Sequence, residues 1–445
     1  MGGLITAASQ FALTCRQANR PAQVTDLAIM NLVDWFAVTI GARAEPAGVK
    51  VAQVVREWGM QGRSPLIVGG TSAPMGAALV NGTLAHCLDY DDLHFPSLSH
   101  LSAPTWAAVL AVGASVAADE CAMIDAFLAG FEVGARLGDN GVGKAVTDRG
   151  WHSTGVHGRL SAAIAAATLL GLDQNGIAHA MAIAATQTSG LTSSFGTMAK
   201  PFHAGKAAAD GVLAAQLAAQ GFEGALDILD SERSLARALV QDGSVTMSLD
   251  GLGETWEIER NALKPYACCG LTHAPIDCAR ELFAGFGSGK LEINAIERIV
   301  VETHSLASKV ANQRTPRTSL AGKFSLSYCV SLGLNGYTAS EADFQLDRLS
   351  NANIQSLERR VQLDTDDALE PSAARMRVEY TNGTQHSAAI SVSLGNPENP
   401  MTWEHLQQKF TPLARPTVGE KTDELFATLR DFERPGAFAT ALALL

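Results

Sequence analysis

The densest run of reactive side chains is Asn81-Gly82-Thr83-Leu84-Ala85-His86-Cys87-Leu88-Asp89-Tyr90-Asp91-Asp92-Leu93-His94, with His100 close behind it. Three carboxylates and three imidazoles so close together are unusual in a chain that is only 18% charged. One chemistry open to them is metal binding, because carboxylate oxygens suit Mg²⁺ or Ca²⁺ and imidazoles suit softer ions. The spacing fits no ligand template, however. A second is acid–base catalysis, in which a carboxylate fixes the tautomer of an imidazole and holds its pKa near the working pH. The plain alternative is a helix C-terminus carrying solvated acids and capping side chains.

Three further segments offer groups of the same kind. Arg149-Gly150-Trp151-His152-Ser153-Thr154-Gly155-Val156-His157-Gly158 leads into an Ala-rich run, so a glycine-flanked loop can present backbone N–H groups and the His152 imidazole to an anion at a helix start. A turn histidine satisfied by its own loop fits equally well. Gly196 to Lys206 gathers Lys200, His203 and Lys206 just before and into a helix. Cations at the positive end of a helix dipole are mildly unfavourable, which points to an anionic partner or to a solvated helix start. Lys264-Pro265-Tyr266-Ala267-Cys268-Cys269-Gly270-Leu271-Thr272-His273 sets a cation, two thiols and an imidazole where the texture of the chain changes. Domain boundaries favour clefts, although buried free cysteines commonly behave as small apolar residues. The glycine-rich pieces Gly287-Ser288-Gly289-Lys290 and Gly141-Val142-Gly143-Lys144 both fail the phosphate-loop pattern, and no G-x-G-x-x-G follows a strand. No nucleotide cofactor is expected.

The elements that must position these groups fall into two textures. Up to about residue 240, Ala, Leu and Val recur at helical spacing, as over 24–41, 73–88 and 206–221, with Pro201 near one helix start and Gly221 past its end. After Lys264 come β-type runs at 296–303, 375–380 and 388–394, with Thr381-Asn382-Gly383 as a hairpin signal. Helical patterns at 275–286 and 322–334 lie between them. Beyond Asn396-Pro397-Glu398-Asn399-Pro400 the chain returns to helix, with Thr402 as N-cap and Glu404 in the first turn. The expected class is mainly α with a smaller α+β domain: residues 1–264 all-helical, 265–395 α+β, and 396–445 a helical return to the first domain.

Composition narrows the function. The 445 residues carry 33 Lys+Arg against 45 Asp+Glu, a net charge of −12, with 47% hydrophobic residues. No block clusters Lys and Arg as phosphate neutralisation requires, so no nucleic-acid partner is expected. The apolar windows 103–118 and 162–172 are Ala-rich and interrupted by Gly, Ser or Thr, so no membrane span is expected. The first residues, Met1-Gly2-Gly3-Leu4, lack a basic lead into an apolar run. Seven cysteines without a C-x-x-C fit neither a disulfide framework nor a zinc site. The expected setting is the cytoplasm.

Taken in order, the four segments resemble the MmgE/PrpD family, which includes 2-methylcitrate dehydratases, cis-aconitate decarboxylases and iminodisuccinate epimerase. The matching pieces are Asn81-Gly82 through His86, Asp89 and Asp91-Asp92; Gly150-Trp151-His152 with Leu169-Leu170-Gly171-Leu172; Lys200-Pro201 with Gly205; and Lys264-Pro265-Tyr266 with His273. The resemblance implies a helical domain formed by both chain ends, an α+β domain between, a cleft where they meet, and usually a homodimer. It also implies removal of a proton next to a carboxylate on a small polycarboxylic acid, with neither metal nor organic cofactor. By the same resemblance, His152 or His100 is base or acid, Asp89 orients, and Lys200 and Lys264 clamp the substrate carboxylates, with His203 beside them.

Three departures from the family pattern bear on the substrate. His100-Leu101-Ser102 stands for His-Pro-Ser, Leu93 for a site threonine of the cis-aconitate decarboxylases, and Cys269 for one of their histidines. Missing polar partners argue against cis-aconitate as substrate. The Cys269 thiol could instead act in acid–base chemistry if Lys264 or His273 lowered its pKa. The leading expectation is a hydro-lyase of the 2-methylcitrate dehydratase type. An epimerase of the iminodisuccinate epimerase type ranks second, then a carboxy-lyase of the cis-aconitate decarboxylase type, then a non-catalytic binding protein. A metal enzyme using Asp89, Asp91 and Asp92 is a further alternative.

Overall fold

The computed structural model describes residues 3–16, 20–241, 243, 245–285 and 293–445; Met1-Gly2 and the Gly287 to Lys290 stretch lie outside them. The chain forms two compact units, one made of residues up to Leu263 together with Leu406–Leu445, the other of Lys264–His405. Lys264 thus opens the second unit, and the turn closed by Gly395 N–H to the Asn399 carbonyl stays with that unit.

The central helices of the first unit are buried on nearly every side. Ser153–Leu169 is buried from Ser153 to Thr168, and Pro74–Ala85 from Gly76 to its end. Alanine and glycine make this possible, because small side chains let helix backbones approach until no solvent face remains. The closest approach joins Pro74–Ala85 to Ala199–Ala219. A Cβ at Gly205 would stand 2.1 Å from Thr83 Oγ1 and 2.3 Å from the Leu79 carbonyl oxygen, and one at Gly82 would stand 3.0 Å from Gly205 Cα. Only glycine fits there, and this contact brings the start of one helix beside the end of the other. Ala22–Gly41 has the length and mean hydropathy, 1.4, of a membrane span, yet 83% of that window is buried in the structure. Its interior carries Asn31 and Asp34, the latter paired with Lys409 at 2.5 Å, so it serves as a core helix to which the returning chain is tied.

In the second unit four strands lie in the order Val361–Thr365, Ile296–Thr303, Ala374–Tyr380, Gln385–Ile390. The first pair is parallel and the others antiparallel. Inward residues of Ala374–Tyr380 alternate with outward ones, as half-buried strands require, and Ile299, Val301, Met376 and Val378 pack against the helices His273–Gly285 and Leu326–Leu334. The Tyr380 to Thr384 hairpin has Gly383 at φ +84. One expected helix, 322–334, is instead two: Ser319–Lys323 ends at Phe324, and Ser325 caps Leu326–Leu334 through Tyr328 N–H. The last strand runs 385–390 where the sequence pattern suggests 388–394, and the strand Val361–Thr365 has no counterpart among the expected elements. Thr402 accepts from His405 N–H and opens the helix Trp403–Val418.

Candidate active site

The helix Pro74–Ala85 ends in a turn that aims its polar residues inward. His86 leaves the helix at φ −104, and Asp89 adopts φ +54, a left-handed conformation that aspartate tolerates better than most side chains. The chain then forms the short pairing of Leu93–His94 with Asn261–Ala262. Hydroxyls fasten the next residues to the neighbouring helix: Ser153 Oγ donates to the Ser97 carbonyl at 2.7 Å, and Thr154 Oγ1 accepts from His100 N–H at 3.0 Å. His152 stands at the N-cap of Ser153–Leu169, its N–H bonded to the Gly190 carbonyl at 2.9 Å. Lys200 and His203 come from the first turn of Ala199–Ala219.

Four imidazoles and three carboxylates meet in this part of the first unit. Asp91 Oδ2 accepts from His86 Nδ1 at 2.7 Å and lies 3.3 Å from His100 Nδ1. The His86 ring is 4.7 Å from that of His100 and stacks on that of His152 at 5.6 Å. His152 Nδ1 and His203 Nδ1 share a hydrogen bond of 3.1 Å, and Phe195 packs edge-on against His152 at 5.0 Å. Lys200 Nζ is paired with Asp89 Oδ1 and sits 5.3 Å from the Phe195 ring centroid. Asp92 Oδ2 accepts from Ser102 at 2.5 Å and from Asn261 at 2.6 Å, and Ser102 also bonds Asn31. His86 Nε2, Asp91 Oδ1, Asp92 Oδ1 and His100 Nδ1 are buried and make no hydrogen bond among the described residues. Buried groups left open in this way cost free energy unless something satisfies them in the working state.

The charges are set by burial and by one another. Burial alone would raise the Asp91 pKa, but His86 and His100 outweigh it and hold the carboxyl well below its usual range. Burial pushes Asp92 the other way, up to about 7, with the Asp91 charge adding to the effect. Burial lowers His86 to about 4 and His152 well below an ordinary histidine, assisted at both by the Lys200 charge. His203 is lowered too, by burial and then by Arg159 and Lys200. The site therefore rests with Asp91 ionised and His86 and His152 neutral. It offers a lysine for an anionic substrate, uncharged imidazoles for proton transfer, and a fixed anion against which one imidazolium can form.

The sequence-expected residues divide between the units. Asp89, His100, His152, Lys200 and His203 are brought together in the first; Lys264, Cys269 and His273 belong to the second. There Lys264 is buried, Cys269 N–H bonds the Lys323 carbonyl at 3.0 Å, and the His273 ring meets Tyr266 edge-on at 5.3 Å. Cys268 Sγ contacts Thr272 Oγ1 at 3.1 Å, and hydrogen bonds from Cys329 and His273 lower its pKa despite burial. The structure adds partners for two of these residues: the acid that bonds an imidazole is Asp91, while Asp89 accepts from Lys200, and His203 pairs with His152. His86 and Phe195 have no assigned role in the sequence expectation, and Asp91 enters it only as a ligand of the metal-enzyme alternative; the clustering of acids and imidazoles is what signals His86 and Asp91. The potential ligand atoms of His86, Asp91 and His100 lie within 4.8 Å of one another and could hold a metal ion.

Two family models cover the chain, the MmgE/PrpD N-terminal domain over residues 6–248 and the MmgE/PrpD C-terminal domain over 266–431. The cis-aconitate decarboxylase of Aspergillus terreus is 28% identical over 91% of this chain and 87% of its own length. The human cis-aconitate decarboxylase is 25% identical over 83% and 79%.

Proposed function

The chain belongs to the MmgE/PrpD family, and from that premise we propose that it is a lyase acting on a small polycarboxylic acid by moving a proton at a carbon next to a carboxylate. The observation that carries this reading is a half-buried lysine beside neutral imidazoles that gather around the ionised Asp91 carboxylate. Lys200 would exchange Asp89 for a substrate carboxylate and stabilise the charge that develops on it as the adjacent C–H bond breaks. An uncharged imidazole takes the proton.

Loss of water is our first reading of the bond that breaks. A base must take the proton while an acid gives one to the departing hydroxide, and the site supplies two distinct imidazole pairs, His86 with His100 and His152 with His203. Loss of carbon dioxide is the second, favoured by the names of the relatives. There the C–C bond breaks, its electron pair stays on carbon, and a protonated imidazole delivers the proton. Leu93 and Cys269, where those decarboxylases carry polar groups, weigh against cis-aconitate itself.

The test is proton NMR in D₂O with 2-methylcitrate, citrate, cis-aconitate, the tartrates and iminodisuccinate. Deuterium entering next to a carboxylate with formation of an alkene acid supports water loss, and release of carbon dioxide supports the second reading. Exchange with inversion and no bond cleavage makes the protein an epimerase. No exchange from folded protein in any of them overturns the lyase reading.

A further inference from the structure

The two imidazole pairs are not equivalent, and the difference assigns the base. His152 faces another imidazole, His203, so its Nδ1 contact holds no charge that could stabilise an imidazolium. His100 faces a carboxylate. Asp91 is 2% exposed, receives a hydrogen bond from His86 at 2.7 Å, and lies 3.3 Å from His100 Nδ1. The last contact is within ion-pair reach but is not aligned as a hydrogen bond, since His100 Nδ1 has no such partner among the described residues. Catalytic hydrogen bonds are often long in an empty site and tighten when substrate arrives.

An ionised carboxylate can only accept. The nitrogen of each imidazole that faces Asp91 must therefore carry the proton when that ring is neutral, which leaves Nε2 with the lone pair in both His86 and His100. His86 is fully enclosed and cannot meet a substrate, whereas His100 is 9% exposed. The other groups around them are Asp92 on the same turn, His152 from the start of Ser153–Leu169, and Lys200 from Ala199–Ala219 with its partner Asp89. All the nearby cations and imidazoles resist a second positive charge, and among the described residues around His86 and His100 the fixed anion aimed at their rings is Asp91.

We propose that Asp91 is a positioning residue which, held in place by His86, fixes His100 as the Nδ1–H tautomer so that His100 Nε2 is the base. His100 takes the substrate proton on Nε2 and becomes an imidazolium whose Nδ1–H closes onto Asp91. His86 donates to the same oxygen throughout and keeps it aimed. In water loss the His100 imidazolium then returns that proton to the departing hydroxide, so that water leaves and the ring is neutral again, while His152, without a carboxylate, stays neutral and hydrogen-bonds the substrate. The assignment of a base rests on the water-loss reading; the tautomer does not.

Two measurements test it. In substrate-free protein, ¹⁵N shifts of the imidazole rings, assigned with His86→Gln and His100→Gln, are expected to show Nδ1–H tautomers for both; an Nε2–H tautomer at His100 overturns the proposal. In kinetics, Asp91→Asn is expected to lower kcat by about 10³-fold, as loss of a tautomer-fixing carboxylate does elsewhere, with KM within about threefold. In the variant the His100 ring is expected to lose its preference for the Nδ1–H tautomer. An unchanged tautomer, or a loss expressed in KM alone, makes Asp91 merely structural. If Asp91→Asn does not fold, the ring tautomers of the unaltered protein still decide. If no polycarboxylic acid turns over, the tautomers stand or fall by themselves.

Discussion

His86 and His94 leave the same stretch of chain, are both buried, and both meet a carboxylate, yet they end in opposite chemical situations. His94 is saturated: Nδ1 bonds Ser97 Oγ at 2.9 Å, Nε2 bonds Glu257 at 3.1 Å, and Glu257 is held in turn by Arg136 at 3.2 Å and Arg260 at 2.8 Å. Two backbone N–H groups of the same loop, Glu257 and Ile258, bond Glu132 at 2.7 and 2.9 Å. His86 has one partner, Asp91, and its other nitrogen and the other Asp91 oxygen face none among the described residues. Around His94 one buried atom, Arg136 Nε, lacks a hydrogen bond among the described residues, against four in the cluster around His86; a network with most of its hydrogen bonds made resists rearrangement and serves the fold, whereas one with several open buried atoms keeps capacity for a ligand or a moving proton. Composition alone would have ranked the two alike.

The sharpest way to break that contrast is to remove one charge from each network. Lys200→Met is expected to reduce kcat/KM by about 10³-fold, equivalent to about 4 kcal/mol of transition-state stabilisation, because the group that meets the developing carboxylate charge is gone. Its urea midpoint should fall by less than its activity does, since the Lys200–Asp89 pair is more exposed than the Arg136–Glu257 pair. Lys200→Arg should recover part of the KM effect and little of kcat. A Lys200→Met protein that unfolds readily but turns over normally would place Lys200 with the structural network.

Glu257→Gln asks the converse and carries the next largest effect. It leaves Arg136 with a weakened partner in a buried setting, and breaking a buried pair from one side costs about 3–5 kcal/mol. The neutral isostere keeps a hydrogen bond to His94, so a loss at the lower end, about 3 kcal/mol in urea denaturation, is expected, with kcat/KM of the folded fraction within about threefold. Since the Glu257 pKa is depressed by His94, Arg260 and Arg136 against its burial, its contribution is present above the ordinary glutamate range and lost as pH falls through the lowered folded value. The variant's deficit should therefore shrink in acid. A deficit in turnover larger than the deficit in stability would dissolve the distinction between the two networks.

Legibility in the sequence tracks the range of the interactions involved. Helices are readable because their causes are local: Pro201 and Gly221 bracket Ala199–Ala219, and Thr402 caps the returning helix through its own first turn. The strand Gln385–Ile390 is misplaced by its pattern because its first residues, Gln385, His386 and Ser387, are exposed and polar on a sheet edge, so the apolar signal begins late. Val361–Thr365 is short and turns mostly polar residues outward, which leaves no alternation to find. At the site the cluster of acids and imidazoles is visible but their roles are not. That Asp91 bonds His86 while Asp89 meets Lys200 depends on the left-handed backbone at Asp89, and no propensity announces it. His94 cannot be told from His86 because its partner Glu257 is 163 positions away.

The smallest effect expected concerns the loop that seats His152. Gly190 lies at φ +115; a Cβ there would stand 3.1 Å from the His203 ring and 3.4 Å from His152 Cβ, while its carbonyl receives the His152 N–H. Gly171, at φ +74 beyond the C-terminal end of Ser153–Leu169, has nothing within 4 Å of its Cβ position. Alanine at either site incurs backbone strain of about 1–2 kcal/mol, read as a lowered urea midpoint. Only at Gly190 does the added methyl press on the two imidazoles, and a displacement of a few tenths of an ångström at a proton-transfer site is worth roughly tenfold in rate. Gly190→Ala should lose about tenfold in kcat/KM beyond Gly171→Ala at matched stability. Equal turnover in the two variants would mean that the His152 and His203 pair tolerates movement, and His152 would then belong with His94 among the imidazoles that serve the fold.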